Sequence, residues 1–550
     1  MFARIKKSGK YEYLQLVENR RHKDKITQRV IATMGRLDVL QQSDQLEKTV
    51  QSLTKFCNHA LLLVSNKTDT VKSNVISIGP SLIFDRLWKK SGIEVIVKEL
   101  LKGRRYGFDV ERAIYFTVLH RLFNPGSDRA AQQWKEGYKI AGAEDISLHQ
   151  VYRAMAWLGE ALPKPEQEGA TPVTPRCIKD KIEERLFFLR RDLFSTMGVV
   201  FFDTTSLYFE GEGGTHLGAR GYSKDNRPDL KQMILGVVLD GEGRPVCCEL
   251  WPGNTADVKS IIPIVDRLKM RFGINRVCIV ADRGMISKET ITVLESNKYG
   301  FEYILGVRMR KVKKVKEKIM SNTGTYEEIF PARHMSKDPA PLKVKDMQID
   351  NRRYVVCYNE EQARKDAHTR EAIVELLTEK IKNNKGGLIG NAGYKKYVHI
   401  EKNGISLDTH KINDDAKFDG IWALQTNTTL SARNTALCYK DLWRVEKVFR
   451  DTKTLLRTRP IFHKYDETIR GHVFCSFLAL VIRAELEREL EDAGYRFEWA
   501  EIKRDLKLLA ETEITHEGKT FVVRSESKGV CGKVFQTVGV ALPPTIRQNN

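Results

Sequence analysis

Two aspartates stand out in the sequence because each follows a run of apolar residues. Asp203 ends the stretch "VVFFD", and Asp282 ends "VCIVAD". An aspartate after four apolar residues is expected at the carboxyl-terminal edge of a sheet, where open α/β sheets bind their ligands. Either residue alone could equally cap a turn or the next helix. Two of them in one domain predict a shared site.

Glu446 is the third candidate acid, and it belongs to a helical segment further along the chain. Three carboxylates brought together repel one another unless a cation neutralises them. Oxygen-only ligand sets suit Mg²⁺ or Mn²⁺. Two such ions can activate water or a 3′-hydroxyl group and stabilise the leaving oxygen in phosphoryl transfer. The predicted chemistry of Asp203, Asp282 and Glu446 is therefore metal-dependent cutting or joining of phosphodiesters.

The segment "YKDLWRVEKVFRDTKT", residues 439–454, is predicted to form one helix with two distinct stripes. One stripe is apolar and would face a core: Leu442, Val445, Phe449 and Leu456. The stripe beside it carries the glutamate with bases and aromatic residues: Tyr439, Trp443, Glu446, Arg450, Lys453 and, beyond them, Arg457. The bases could hold phosphates, and the rings could stack on an unpaired base. An ordinary surface salt bridge between Glu446 and Arg450 remains the alternative.

The elements that must position these residues follow an α/β order. Between residues 177 and 310 the pattern predicts a strand, a hairpin, a helix, a strand, a helix and a strand, which indicates a mixed sheet flanked by helices. Charged and turn-rich sequence then interrupts the alternation over 311–417, and this part is predicted to be an inserted subdomain. The sheet and its glutamate helix resume over 418–494, and 495–550 is a small mixed segment.

The part of the chain before this domain has a different texture. Residues 1–45 predict a small basic β unit, since residues 1–30 hold nine Lys and Arg against three Asp and Glu, or +6 by subtraction. Residues 46–161 predict helices, two of which, "DRAAQQWKE" and "LHQVYRAMAWLGE", could form a helix-turn-helix. This region is expected to bind DNA ends. The proline-rich residues 162–176 are predicted to be a linker.

The overall composition points to a polyanionic partner. The chain has 92 Lys and Arg against 71 Asp and Glu, a net charge of +21. Such an excess favours nucleic acid, although a generally basic surface is the alternative. The nine scattered cysteines show no metal-binding spacing and suggest a reducing compartment. The longest apolar stretch is about half a membrane span and no export signal opens the chain, so a cytoplasmic location is expected.

Several stretches together resemble the DDE transposases of bacterial insertion sequences: "FFDTTSLYFE", "VCIVADRGMIS", "RGYSKDNRPDLKQMILGVVLDGEGRPV", "WPGNTAD" and "YKDLWRVEKVFRDTK". The resemblance is greatest to the branch with a Tyr-x2-Arg-x3-Glu-x6-Lys signature. Its Tyr and Lys fall on Tyr439 and Lys453, whereas its Arg falls on Leu442, which is a departure. The resemblance implies an RNase H-like core with an insertion, and Asp203, Asp282 and Glu446 as ligands of two Mg²⁺ or Mn²⁺ ions.

The resemblance also implies a reaction and partners. The family nicks DNA at the ends of its element, releases the second strand and transfers the 3′-hydroxyl ends into target DNA. The expected partners are double-stranded DNA, both element ends and target, and a second copy of the chain when the ends are paired. Two alternatives stay open: an RNase H-like nuclease that cuts without joining, and a DNA-binding repressor whose catalytic domain has decayed.

Overall fold

The computed structural model divides the chain into two compact units. An N-terminal unit combines Met1–Ser77, Lys507–Lys528 and Leu542–Asn550, and a larger unit combines Ile78–Leu506 and Gly529–Ala541. The residues that the structure describes are 1–22, 25–43, 45–54, 72–190, 198–225, 227–274, 277–285, 287–296, 298–307, 309, 313–321, 324–330, 341–382, 396–401, 404–516 and 519–549.

The strands of the described residues form four sheets. Numbered along the chain, they are β1 Phe2–Ser8, β2 Tyr11–His22, β3 Lys25–Arg36, β4 Lys72–Ser77, β5 Val199–Tyr208, β6 Gln232–Asp240, β7 Pro245–Pro252, β8 Cys278–Ala281, β9 Glu302–Gly306, β10 Glu327–Ile329, β11 Leu342–Ile349, β12 Arg352–Tyr358, β13 Val398–Glu401, β14 Gly404–Leu407, β15 Ile421–Thr426, β16 Ala510–His516, β17 Lys519–Arg524 and β18 Ile546–Asn549.

The helices of the described residues lie mostly in the larger unit. They are α1 Leu37–Gln42, α2 Gln45–Thr54, α3 Gly79–Lys90, α4 Ile93–Leu100, α5 Val110–Phe123, α6 Asp128–Lys135, α7 Leu148–Leu158, α8 Ile178–Arg190, α9 Ile261–Phe272, α10 Lys288–Glu295, α11 Lys313–Ser321, α12 Glu360–Lys382, α13 Thr409–Ala416, α14 Ala432–Lys440, α15 Trp443–Arg450, α16 Asp466–Asp492, α17 Trp499–Leu508 and α18 Cys531–Val538.

The N-terminal unit contains the predicted small β unit and part of the C-terminal segment. Strands β1, β2 and β3 form an antiparallel meander. A second sheet has the order β18-β17-β16-β4, so strands from the end of the chain pair with β4 near its beginning. The C-terminal residues predicted as a separate segment therefore complete a sheet that begins before residue 78.

The larger unit is built on a nine-stranded sheet with the order β10-β11-β12-β15-β9-β8-β5-β6-β7. Strands β5, β6 and β7 are an antiparallel meander, and β8 and β9 run parallel to β5. This mixed sheet with flanking helices is the architecture that the sequence predicted for an RNase H-like core. One face of the sheet packs on α9 and α10 through a continuous apolar core that includes Phe202, Val265, Ile279 and Ile291.

The segment predicted as an insertion is continuous with this sheet. Strands β10, β11 and β12 lie within residues 311–417, yet β12 pairs antiparallel with β15 of the core. The hydrogen-bonding edge of β15 would otherwise be open, and β12 covers it. Strands β13 and β14 form a separate hairpin.

The helical region before the core packs closely on the long helix α16. Glycines allow the close approach: a Cβ at Gly159, just after α7, would lie 2.0 Å from the Glu467 carbonyl oxygen, and one at Gly471 would lie 1.9 Å from that of Met155. Helices α6 and α7 are joined by residues 136–147 rather than by a short turn, so the predicted helix-turn-helix is not formed there. Among the described residues, no helix is both long enough and apolar enough to cross a membrane.

Residues 162–176, predicted to be a linker, form a compact loop inside the larger unit. The Leu162 amide donates to the Arg176 carbonyl oxygen at 2.8 Å, and the side-chain amide of Gln167 donates to both of these residues' carbonyl oxygens. The prediction was wrong because prolines mark irregular backbone equally well at a boundary and within a domain.

A buried polar network joins α5 and α6 to α16 and the loop that precedes it. Arg121 donates to Nδ1 of His472 at 2.9 Å, and Nε2 of His472 donates to the Thr458 carbonyl oxygen at 3.1 Å. Asp128 lies 3.3 Å from Nε2 of His463. The polar atoms of these side chains are therefore satisfied by protein partners, as buried polar groups require.

Candidate active site

Asp203 and Asp282 lie side by side on neighbouring parallel strands. Phe202 of β5 is in register with Ala281 of β8, and each aspartate is the next residue along its strand. Adjacent strands are about 4.8 Å apart, so the two carboxylates leave the sheet close together. Asp282 directly follows β8, as predicted. Asp203 does not end its strand, because β5 continues to Tyr208 and pairs with β6 throughout.

The carboxyl group of Asp203 is held in a partly buried environment. The Thr204 amide donates to its Oδ1 at 2.7 Å. Burial raises the pKa of this group, Lys224 and the Thr204 amide lower it, and the charges of Asp282 and Asp257 raise it, so that the pKa is about 7. A cation bound at this carboxyl group would favour the charged form and lower its pKa.

Tyr439 reaches the second aspartate from α14. Its hydroxyl group donates to Oδ1 of Asp282 at 3.3 Å. Gly306, at the end of β9, makes room for this contact, since a Cβ there would lie 2.4 Å from the tyrosine hydroxyl. Burial, then the charge of Asp282, raises the pKa of the Tyr439 phenol, so the group is a proton donor at neutral pH.

Glu446 lies on α15, which packs against β5 and β6. The segment predicted as one helix is divided: α14 ends at Lys440, α15 begins at Trp443, and a wider π-helical turn follows from Asp451 to Leu455. At the break, the amides of Leu442 and Val445 donate to carbonyl oxygens three residues earlier in the chain, whereas an α-helix uses the carbonyl oxygen four residues earlier. A wheel of 100° per residue is therefore wrong across residues 439–454, and Tyr439 reaches the site from a different helix.

The acid on α15 is electrostatically linked to the aspartates. Partial burial of its carboxyl group and the negative charge of Asp282 raise the pKa of Glu446, and the charge of Arg450 lowers it. Glu446 therefore lies close enough to Asp282 for their charges to interact. Arg450 is exposed beside it.

The other residues predicted to contact DNA, Trp443, Lys453 and Arg457, differ in their exposure and in their contacts. The side chain of Trp443 is exposed, at 44%. Lys453 is mostly buried, and its Nζ lies 2.7 Å from Oδ1 of Asp225; burial lowers its pKa against the opposing effect of that carboxylate. Arg457 is exposed, but its backbone is left-handed (φ +45°) and lies beyond the helix, so it does not continue the stripe of Glu446.

Leu442, where the sequence departs from the signature arginine, is buried at 7% exposure. It immediately precedes α15, at the break between the two helices. An arginine at this position would need to leave the apolar environment to reach DNA. The departure thus removes a charged side chain from the beginning of the glutamate helix.

Three polar residues near Asp203 were not singled out from the sequence. Lys224 donates to the Thr204 carbonyl oxygen at 2.7 Å and lies 3.2 Å from Asp257, which accepts from the Thr204 hydroxyl at 2.7 Å. Asp225 is the partner of Lys453. These residues belong to "SKD" and "NTAD", stretches that carried the family resemblance, and that was the available signal.

The donor set fits divalent cations. Asp203, Asp282 and Glu446 offer only carboxylate oxygens, the ligands preferred by Mg²⁺ and Mn²⁺. Burial is the main cause of the raised pKa values of Asp203 and Glu446, and repulsion by the negative charge of Asp282 contributes to both. A bound cation would relieve that repulsion.

Comparison with known proteins identifies the family of the chain. Residues 195–482, more than half of the 550-residue chain, match the family described as the transposase DDE domain. Residues 3–67 match the N-terminal domain of IS1634 family transposases. No curated protein matches the chain. Among solved structures, it is similar to a piggyBac transposase synaptic complex with hairpin DNA, with 11% identity, 78% of each chain covered and a TM-score of 0.36.

The domain match, which covers more than half of the chain, defines a DDE transposase. The chain belongs to this family, and its N-terminal match shows that it is the transposase of an insertion sequence. Members of the family generally use divalent metal ions.

Proposed function

We propose that this transposase binds the ends of its insertion sequence, nicks the DNA there by metal-dependent hydrolysis and joins the 3′-hydroxyl ends to target DNA. The proposal is supported by the packing of the three separate elements that carry Asp203, Asp282 and Glu446. Asp203 and Asp282 are adjacent on parallel strands, and the charge of Asp282 acts on Glu446 from the helix that packs on β5.

The three acids would hold two divalent cations, Mg²⁺ or Mn²⁺. Bound cations of this kind would activate a water molecule or a 3′-hydroxyl group and stabilise the leaving oxygen. The chain itself fixes the acids: β5 and β8 set the spacing of the aspartates, and the Tyr439 hydroxyl orients Asp282. Hydrogen bonds of this kind to a metal-binding side chain fix its orientation and change its affinity for the metal.

The side chains around the acids supply DNA contacts in this proposal. Arg450 is exposed next to Glu446 and suits a scissile or flanking phosphate, since a guanidinium binds phosphate oxygens in a bidentate way. Arg457 would be a further phosphate contact, and Trp443 offers an exposed ring for stacking on an unpaired base. Lys453 would contact a phosphate only on leaving Asp225, with which it is paired. Tyr439, whose hydroxyl is engaged with Asp282, combines contact with DNA and support of the metal site.

The basic N-terminal part, residues 1–161, would bind the element ends, and two copies of the chain would pair two ends. The net charge of +21 supports association with DNA at the nucleoid of a bacterial cytoplasm.

A strand-transfer assay tests the proposal. Purified protein, Mg²⁺, end DNA with a pre-formed 3′-hydroxyl nick and a supercoiled target plasmid should give joined products. Cleavage of intact ends without any joining of pre-nicked ends would instead indicate a nuclease. End-specific binding with neither reaction would indicate a repressor.

A further inference from the structure

The loop Ser223–Asp225, here called the bridging loop, contacts the strand that carries the first acid. The Lys224 amide donates to the Ser206 hydroxyl at 3.0 Å. Its Nζ donates to the carbonyl oxygen of Thr204 at 2.7 Å and to the hydroxyl of Thr204 at 3.0 Å. Thr204 directly follows Asp203 and bonds to its carboxylate. Lys224 therefore binds β5 at the position of the first acid.

A fourth carboxylate completes this contact. Asp257 accepts from the Thr204 hydroxyl at 2.7 Å, and its other oxygen lies 3.2 Å from Nζ of Lys224. The same side chain approaches the turn after the second acid, since its Oδ2 lies 3.4 Å from the position of a Cβ on Gly284. Lys224 thus holds Asp257 where it borders both aspartates, and the ammonium group offsets its charge.

The next residue of the loop contacts the other side of the site. Asp225 pairs with Lys453 at 2.7 Å and with Arg459, and its side chain is only 9% exposed. Lys453 lies in the π-helical turn that directly continues the glutamate helix. Two adjacent loop residues therefore connect the strand of Asp203 to the end of the helix of Glu446.

We propose that Lys224 and Asp225 are positioning residues that hold the first and third acids at the spacing needed to bind metal. The inference rests on the proposed metal-dependent function. Asp203, Asp282 and Glu446 repel one another before metal binds, so an independent connection is needed to keep them together. Paired side chains that are mostly buried provide it, because removal of one partner leaves the other's charge uncompensated.

The competing explanation is that Lys453 only contacts DNA. Asp225 would then do no more than pair with Lys453 while no DNA is bound. The two explanations differ in the effect of Asp225→Asn. Positioning predicts weaker metal binding in the absence of DNA, with DNA affinity little changed. The competing explanation predicts that Asp225→Asn leaves metal binding unchanged and tightens DNA binding, because Lys453 would be released.

The experiment measures Mn²⁺ binding to the full-length, DNA-free protein by electron paramagnetic resonance of the free ion. Asp225→Asn and Lys224→Met should each weaken Mn²⁺ binding by roughly 10- to 100-fold, the range known for groups that orient metal ligands. Lys224→Arg should recover part of the affinity. Asp229→Asn is the matched control, since Asp229 pairs with Arg227 nearby but is 60% exposed, and it should bind Mn²⁺ like the wild type.

A double variant separates a specific connection from general damage. If Asp225 acts through Lys453, Asp225→Asn in a Lys453→Met background should weaken Mn²⁺ binding little further. Thermal unfolding, measured on the same proteins, identifies any variant that fails to fold. If Lys224→Met fails to fold, Mn²⁺ binding by Lys224→Arg and Asp225→Asn tests the inference; if Asp225→Asn fails to fold, Mn²⁺ binding by the Lys224 variants does.

Wild-type Mn²⁺ affinity in folded Asp225→Asn and Lys224→Met proteins would overturn the inference, as would tighter DNA binding by Asp225→Asn. Failure of the proposed function is a different result: the wild type would bind Mn²⁺ through the three acids but would not cut or join DNA.

Discussion

The hydroxyl group of Tyr439 donates a hydrogen bond to Oδ1 of Asp282 at 3.3 Å. The contact brings α14 to the carboxyl end of β8 and depends on the absence of a side chain at Gly306. A tyrosine from one helix thus supports an acid that a strand provides, while the glutamate comes from the next helix.

Tyr439→Phe should lower the rate of metal-dependent cleavage by roughly tenfold or more, because a group that orients a metal ligand is removed while the ring still packs. Gly306→Ala should lower the rate similarly, since its Cβ would lie 2.4 Å from the hydroxyl. The second substitution should cost less in a Tyr439→Phe background. The exposed Tyr465 provides the control, and a Tyr439→Phe protein that cleaves like the Tyr465→Phe protein would contradict the role.

Arg450→Ala should reduce cleavage by roughly 100-fold, the typical effect of removing one group that stabilises developing charge. Arg450→Lys should restore only part of the rate, because lysine cannot form the bidentate contact. Single-turnover cleavage of end DNA is the measurement. Arg444→Ala on the same helix is the control, as Arg444 donates to the Glu242 carbonyl oxygen. Near-normal cleavage by Arg450→Ala would reduce Arg450 to a surface partner of Glu446, worth under about 1 kcal/mol.

Arg271→Met should destabilise the larger unit by about 3–5 kcal/mol, because four carboxylates share this guanidinium and part of their buried charge would be left uncompensated. The guanidinium of Arg271 lies within 2.6–3.4 Å of Asp180, Glu183, Glu184 and Glu249. Chemical denaturation followed by circular dichroism measures the change. Arg185→Met removes an exposed pair with Glu99 and should cost less than about 1 kcal/mol. Equal destabilisation in the two variants would refute the assignment of a stabilising role to the buried cluster.

Lys6→Gln with Lys10→Gln should weaken binding to end DNA and make the affinity less sensitive to salt. Removing one phosphate contact lowers the slope of log K against log salt by about 0.9. Both lysines are exposed on the first β-hairpin. The full chain is required, because the N-terminal unit includes Lys507–Lys528 and Leu542–Asn550. Lys365→Gln, an exposed change on α12, is the control; an unchanged slope in the double variant would place end binding elsewhere.

The sequence was sufficient where local pattern determines the structure. Apolar runs predicted β5 and β8 and the aspartates on or directly after them, and the pattern over residues 177–310 predicted the hairpin of β6 and β7. The sequence was insufficient where distant segments meet. Nothing in the composition of β4 indicates that it pairs with β16, more than four hundred residues away, and nothing in β12 indicates that it pairs with β15.

The glutamate helix illustrates a second limit. The sequence predicted its apolar and polar stripes. It did not predict the break at Asp441 and Leu442, because neither residue is glycine or proline. The consequence is functional. Tyr439 belongs to a separate helix and contacts Asp282, while Lys453 belongs to a π-helical turn and pairs with Asp225.

The central claim is that Asp203, Asp282 and Glu446 form one metal site that cuts DNA. Asp203→Asn, Asp282→Asn and Glu446→Gln each remove a ligand charge and keep the side chain's shape, so the proteins should fold and bind end DNA. The decisive measurement is Mg²⁺- or Mn²⁺-dependent cleavage of end DNA by each variant beside the wild type. We expect no detectable cleavage by any of the three, whereas cleavage at the wild-type rate by even one would contradict the assignment.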